Sequence, residues 1–447
     1  MLVNPQQYAG GLSATQRTDL GKSHREKLSR EDHKLLRPKE RDFDPLEVLL
    51  ASSAGRLRRL LPIKYARMSV SPFAFFRGAV SIMAADLGRL PRTDIHVQLC
   101  GDAHVRNMGS FAAPDGRFVF DINDFDETIC GPWEWDVKRL TASIVLAGRE
   151  AGLRAPICDA AAAAFLERYH ASMAEFSREP ILMVARHQIR REERAKPISA
   201  ALRQSQRATP ADLLTKLTES DARGGVRFRE RRPVLWRVRG DERKAALESL
   251  GPYRHSLSPE SGRLFDLFKP VDVGFKVVGT GSVGMRDYIV LLEGNGPGDP
   301  LFLQIKQELP SAYARFLPGS ACDHEGRRVA EGQQAIQPLS DLLLGWTSLG
   351  GREFVVRQLN DHKGAIAFSK LRGGGLESLA RVAGELLARG HARSADSRLV
   401  YGYCGGGTKI CKALLAFGIQ YADQTEADYA RFRAAVKKGR IPVADEF

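Results

Sequence analysis

Apolar and polar side chains alternate with period two through Ile95, Val97 and Leu99, the pattern of a half-buried strand, and the run stops at Gly101-Asp102. Asp102 is therefore expected at a strand exit, with Asn107 five residues on. After a turn marked by Pro114, Asp115 and Gly116, a second run from Arg117 to Phe120 delivers Asp121, Asp124 and Asp126. A hairpin-like return is expected to bring both polar clusters to one end. Further strands are predicted at Tyr288–Leu292, Leu301–Lys306 and Glu353–Leu359, the first two separated by the turn Asn295–Gly298. Helical spacing marks Leu46, Leu49, Leu50 and Leu57, Leu60, Leu61, predicting a helical pair at the end of an extended basic arm. It also marks residues 137–176, the segment Leu376–His391, residues 409–420 and the closing YADQTEADYARFRAAVKKG.

Between Val273 and Tyr288 lies Gly279-x-Gly281-x-x-Gly284, a spacing shared by dinucleotide sites and kinases. A dinucleotide site needs a helix to open at the loop, so that its N-terminus faces the pyrophosphate. Here the apolar, β-branched Tyr288–Leu292 follows, so the glycines are expected to join two strands. In such a loop, glycines let backbone N–H groups approach phosphates closely.

A carboxylate five residues before an Asn, followed by Asp-Phe-Asp, is what phosphoryl transfer to a hydroxyl requires: a proton acceptor and hard oxygen ligands for magnesium. The arrangement resembles the kinase-like fold. Gly101-Asp102-Ala103-His104 with Asn107 resembles the catalytic loop of the aminoglycoside phosphotransferase branch. Asn123-Asp124-Phe125-Asp126 resembles its metal-binding motif, and GPWEWDVKRL (131–140) its following helix, in which Asp136 would brace the catalytic loop. The wording SPFAFFRG, GDAHVRN and NDFDE also resembles a bacterial family catalogued as a domain of unknown function. The kinase resemblance implies that Asp102 orients or deprotonates the acceptor, and that Asn107, Asp124 and, as an auxiliary ligand, Asp126 bind Mg2+. It further implies that Gly279, Gly281, Gly284 and Lys306 position the phosphates of ATP, with Glu331 holding Lys306. His104 is expected to brace the loop, and the NDHKG after Leu359 to form a hinge beside the adenine.

In ordinary kinases the glycine loop precedes the catalytic loop; here it follows it. The expectation is therefore an α+β, two-lobed protein-kinase-like fold, circularly permuted, with a β-rich small lobe and a helical large lobe. Permutation is physically permissible where the original termini lie close together at the surface. A basic N-terminal arm and helices would occupy 1–62, and a large-lobe part with both loops and an Arg-rich insertion 63–261. The small lobe would occupy 262–360 and the C-terminal part of the large lobe 361–447. The helix ending at His391 would then lead into the catalytic loop.

Composition narrows the function classes. The chain has 447 residues, 43% hydrophobic and 27% charged, the balance of a globular protein. No apolar stretch approaches a membrane span and the N-terminus lacks a secretion-signal layout, so the expected location is the cytoplasm. Six scattered cysteines form no CxxC pair or zinc spacing and are expected as reduced thiols. A net charge of +14 favours acidic partners such as nucleotides, phosphorylated substrates or nucleic acid. Residues 186–244 concentrate arginine, as a solvated helical face, a mobile insertion or an anion-binding surface. Lys64 reads as structural, while Arg67 and Arg77 suit either phosphate binding or helix anchoring. Gly405-Gly406-Gly407-Thr408-Lys409 departs from the phosphate-loop order and reads as a turn. The partners expected are a nucleotide and a small hydroxyl-bearing substrate, and no membrane. The alternatives are a catalytically inactive nucleotide binder of the same fold and a nucleic-acid-binding protein using the Arg-rich segment. A phosphohydrolase is disfavoured by the lack of multiple histidine ligands.

Overall fold

The computed structural model describes residues 11–37, 40–188, 196–207, 209–220, 224–359, 364–368, 371 and 374–444. Helices α1 (Ala14–Lys27), α2 (Pro45–Ala51), α3 (Leu61–Met68), α4 (Pro72–Gly78) and α5 (Val80–Leu87) precede strand β1 (His96–Leu99). Strands β2 (Met108–Ala112), β3 (Phe118–Ile122) and β4 (Ile129–Pro132) lead into α6 (Trp133–Glu150) and α7 (Ala155–Phe176). Then come α8 (Ile181–Arg186), α9 (Lys196–Arg207), α10 (Pro210–Leu217), β5 (Thr218–Ser220), β6 (Val226–Phe228), β7 (Leu235–Arg237), α11 (Gly240–Glu248), α12 (Leu250–Ser256) and α13 (Pro259–Phe265). Strands β8 (Lys269–Lys276), β9 (Asp287–Glu293) and β10 (Pro300–Gln307), helix α14 (Glu325–Ile336), and strands β11 (Gly345–Leu349), β12 (Arg352–Gln358) and β13 (Gly364–Ala365) follow. Helices α15 (Gly375–Ser394), α16 (Ser397–Cys404) and α17 (Thr408–Lys437) close the chain.

The architecture is α+β. Six antiparallel strands form the main sheet in the order β11-β12-β10-β9-β8-β7. Period two divides β10: Leu301, Leu303 and Ile305 join a buried apolar cluster with Val290, Leu292, Val356 and Tyr253. Phe302, Gln304 and Lys306 take the opposite face, in register with Leu291, Ile289 and Asp287 of β9. On that face Leu213, Leu214 and Leu217 of α10 pack onto Phe228, Ile289, Leu291 and Phe302. Part of the Arg-rich segment is thus a cover on the sheet. The larger core unites α6, α7, α15 and α17 around residues such as Leu140, Phe165, Leu386 and Phe417, with the Trp133 and Tyr169 rings stacked at 5.8 Å.

Three local outcomes differ from the sequence expectations. β1 does not return through residues 118–122; it pairs with β4 (Leu99↔Ile129), and β3 pairs with β2 (Ser110↔Phe120). Met108–Ala112 supplies a strand immediately before the Pro114–Gly116 turn, and closing the shorter loop costs less chain entropy. Residues 14–27 are helix rather than extended arm. Only Gly21 of that helix is buried, so it has no apolar stripe to read; a Ser13–Gln16 capping box and Arg25, bonded to the Tyr403 carbonyl at 2.9 Å, hold it instead. The C-terminal segments predicted separately form one 30-residue helix, α17.

All six cysteines are free, with Cys100, Cys158 and Cys404 buried. Among the described residues no helix is long and apolar enough to cross a membrane.

Candidate functional site

The loop after β1 is built around Gly101. Its φ of 82° is left-handed, and a Cβ there would overlap the Glu127 carbonyl, so both backbone and space demand glycine. One face of α6 then fixes the loop through positions i, i+3 and i+7. Asp136 accepts from the N–H groups of Cys100 at 2.6 Å and Gly101 at 3.0 Å, and Ser143 Oγ accepts from Val105 N–H at 3.0 Å. Between them Arg139 donates to Asp102 Oδ1, from Nε at 2.7 Å and also from Nη2. Burial raises the Asp102 carboxyl pKa against the pull of that guanidinium. His104 Nδ1 accepts from Asn107 N–H at 3.1 Å, so it braces the turn, and burial with Arg77 and Arg139 nearby keeps the imidazole neutral. Asn107 Nδ2 donates to the Asp102 carbonyl at 3.0 Å.

The β2–β3 hairpin returns the chain to the same place, where Asn123 N–H donates to the Asn107 carbonyl at 2.9 Å. Asp124 Oδ1 is buried without a hydrogen-bond partner among the described residues. Burial and the neighbouring Asp126 raise the Asp124 carboxyl pKa. Burial would raise Asp126 too, but Lys306 and Arg357 overcome it and hold that carboxyl well below the usual range.

The second motif set meets the first at Asp126. Lys306 Nζ and Ser282 Oγ, the latter at 3.1 Å, both donate to Asp126 Oδ2. Ser282 belongs to the loop joining β8 to β9, in which Gly279 (φ 67°) and Gly284 (φ 93°) are left-handed. Helix α3 and the connection before it grip that loop by its carbonyls: Arg67 takes Gly279, Arg56 takes Gly281 at 2.6 Å and Val283 at 2.8 Å, and Leu57 N–H takes Gly284 at 2.7 Å.

Asp102, Asn107, Asp124, Asp126, Gly279 and Gly281 line one cavity of about 390 Å³. Lys306 lies behind it, 2% exposed and reached through Asp126, while Gly284 packs against Arg56. Glu331 is not brought to Lys306. It stands on α14 as expected, but its carboxylate accepts from Arg327, one helical turn earlier, at 2.7 Å. The acids whose charges act on Lys306 are Asp126, Asp124 and Glu308. The NDHKG segment falls largely on residues 360–363, outside the described residues. Among the described residues no three His, Cys, Asp or Glu side chains form a ready metal site.

Sequence reasoning passed over three cations that organise this region, of which Arg139 and Arg328 are buried and Arg56 is partly so. Arg139 anchors Asp102; Arg56 grips the glycine loop; Arg328 of α14 donates to the carbonyls of Asp126 at 2.9 Å, Thr128 at 2.5 Å and Leu309 at 2.9 Å. Only Arg139 left a local signal, one helical turn after Asp136.

Fold and site together define an α+β protein with a charged cavity where a glycine-rich strand connection meets a carboxylate-bearing loop. Residues 56–435 match the family described as an uncharacterized protein conserved in bacteria (DUF2252), and the chain belongs to that family. No curated protein and no solved structure matches it.

Proposed function

We propose that the protein is an ATP- and Mg2+-dependent phosphotransferase acting on the hydroxyl of a small molecule, in a circularly permuted, two-lobed kinase-like fold. The observation that carries the reading is the Lys306–Asp126 ion pair across a sequence separation of 180 residues. It joins two motif sets that were recognised independently. The chain order also fits permutation, because α15 ends beside β1, where Ser394 Oγ accepts from Gln98 N–H at 3.1 Å.

In this reading Asp102 orients the acceptor hydroxyl and takes its proton as the hydroxyl oxygen bonds the γ-phosphorus and ADP departs. Asn107 and Asp124 would hold magnesium, whose chemistry is to neutralise charge on the transferring phosphoryl group. The unpartnered Asp124 oxygen fits that role, as does a donor set of one carboxylate and one amide, since magnesium takes few protein ligands and completes its shell with phosphates and water. Lys306 would exchange Asp126 for phosphate oxygens. The N–H groups of the glycine loop would serve the same phosphates, its carbonyls being already engaged by Arg56, Arg67 and Leu57. Glu331 has no part in this arrangement.

A second reading, a nucleotide binder without turnover, is favoured by one observation: Arg139 donates twice to Asp102 Oδ1, which weakens that carboxylate as a base. The two differ in turnover and not in binding. Thermal unfolding of the wild type, Lys306→Ala and Asp124→Ala with and without Mg-ATP tests what they share. A ligand at about 100 times its Kd stabilises the native state by about 2.7 kcal/mol. A wild-type shift lost in both variants is expected; folded proteins with no shift would remove both readings.

A further inference from the structure

Two cations in the cavity wall have no use in the reaction outlined above. Lys64, on α3, is 1% exposed and lines the cavity, yet its ammonium makes no hydrogen bond or ion pair among the described residues. Its charged neighbours are Arg56 and Glu127, the latter too distant for an ion pair. Arg77, on α4, lines the same cavity with its Nε buried and unpartnered among the described residues, surrounded by the charges of Arg106, Asp102, Glu150 and Asp124. Asp124 keeps its unpartnered oxygen for the magnesium of the phosphotransferase reading, and Glu308 Oε1 also lacks a partner among the described residues, while the other charges nearby are committed. Arg56 is bonded to the loop carbonyls, Asp126 to Lys306, Asp102 to Arg139, and Glu127 accepts from Ala312 N–H at 2.7 Å. Burial drives the Glu308 carboxyl pKa well above its ordinary value, which favours its neutral form. An ammonium taken out of water without a partner destabilises a fold, so its retention in a cavity wall calls for an anion that arrives from outside.

We propose that Lys64 and Arg77 form an anion subsite for a phosphate group on the acceptor, so that the substrate is a phosphorylated compound whose free hydroxyl faces Asp102. The subsite stands on its own observations, and its assignment to an acceptor rests on the phosphotransferase reading. Lys64 supplies a compact charge and Arg77 a fork of donors, a pair suited to a phosphate dianion. The terminal phosphate of the nucleotide is the other source of the same chemistry.

Inorganic phosphate is the probe, titrated against the full chain at matched ionic strength with sodium chloride as control, with and without saturating Mg2+ and a non-hydrolysable ATP analogue. Phosphate is expected to raise the melting temperature in both series. Lys64→Met and Arg77→Met are expected to weaken phosphate binding at least tenfold while the shift caused by the analogue remains. Lys64→Met should also melt above the wild type when no anion is present. Phosphate that competes with the analogue, together with an Arg77→Met variant that binds the analogue more weakly, would assign the cations to the nucleotide and overturn the proposal. No phosphate effect in the wild type would overturn it as well. A phosphate effect that the variants lose, in a protein the analogue does not shift, would uphold the subsite and remove the phosphotransferase reading instead.

Discussion

Lys138 and Arg139 are neighbours on α6, and both are buried, but only Arg139 has a carboxylate to bond. Lys138 Nζ lies 4.4 Å from the centre of the Phe417 ring, while the nearby Glu134 carboxylate is engaged by Thr93. Burial pushes the Lys138 ammonium down to about 8 from its ordinary 10.5, against the attraction of Glu134. Because the folded pKa lies below the unfolded one, the native state binds fewer protons between those values. The penalty is therefore full below about pH 8 and fades as pH rises toward 10.5. Lys138→Met is expected to stabilise the protein at pH 7 by up to about 3 kcal/mol, at about 1.4 kcal/mol per pKa unit, and by little at pH 10.5. Urea midpoints of both proteins at the two pH values check this. An equal gain at both would show that packing of the methionine, and not removal of the charge, produced it.

At the scale of elements, the β8–β9 connection depends on α3 and the segment before it, far away in sequence. Glycines permit its conformation without enforcing it, and the grip on its carbonyls supplies what they lack. Arg56→Ala removes three hydrogen bonds, two to the loop carbonyls of Gly281 and Val283 and one to the Ser52 carbonyl. The loss is expected to cost on the order of 1–3 kcal/mol of local stability and, under the proposed function, to weaken Mg-ATP binding about tenfold. Hydrogen exchange over residues 279–285 should accelerate while exchange in β9 and β10 stays slow; acceleration across the whole sheet would mean that Arg56 supports the sheet and not the loop. The strands on either side were legible because alternation marks a face whatever lies opposite, and Asp102, Asn107 and Asp124 because their spacing is short and their chemistry specific. The grip was not legible, since nothing near Arg56 in the chain indicates that its guanidinium reaches a loop more than 200 residues later. For the same reason Glu331 is reasonable on spacing yet is taken by Arg327, and α1 leaves no trace in hydrophobic pattern because it is fastened by polar bonds.

At the scale of the molecule, α3 is shared by apolar clusters that would otherwise be separate. Ile63, with Leu60 just before the helix, packs into the apolar face of the main sheet alongside Val283 and Val290. Tyr65 and Met68 join Phe75, Phe432 and Ile441 in a separate cluster that includes the far end of α17, and Ala444 N–H donates to the Pro62 carbonyl at 3.1 Å. The other end of α17 is buried in the large helical core through Ile410 and Leu414. A third link is Arg328, whose guanidinium ties α14 to the backbone of residues 126–128. Chains of this length commonly unfold domain by domain. Here any separation of the sheet from the helical body must strip α3 from one of two clusters and break the buried bonds of Arg328. A single calorimetric transition is therefore expected, with equal calorimetric and van't Hoff enthalpies, and under the proposed function Mg-ATP displaces it as a whole. Two resolved transitions, of which the ligand moves only one, would show that α3 and Arg328 do not couple the halves and that the site belongs to one of them.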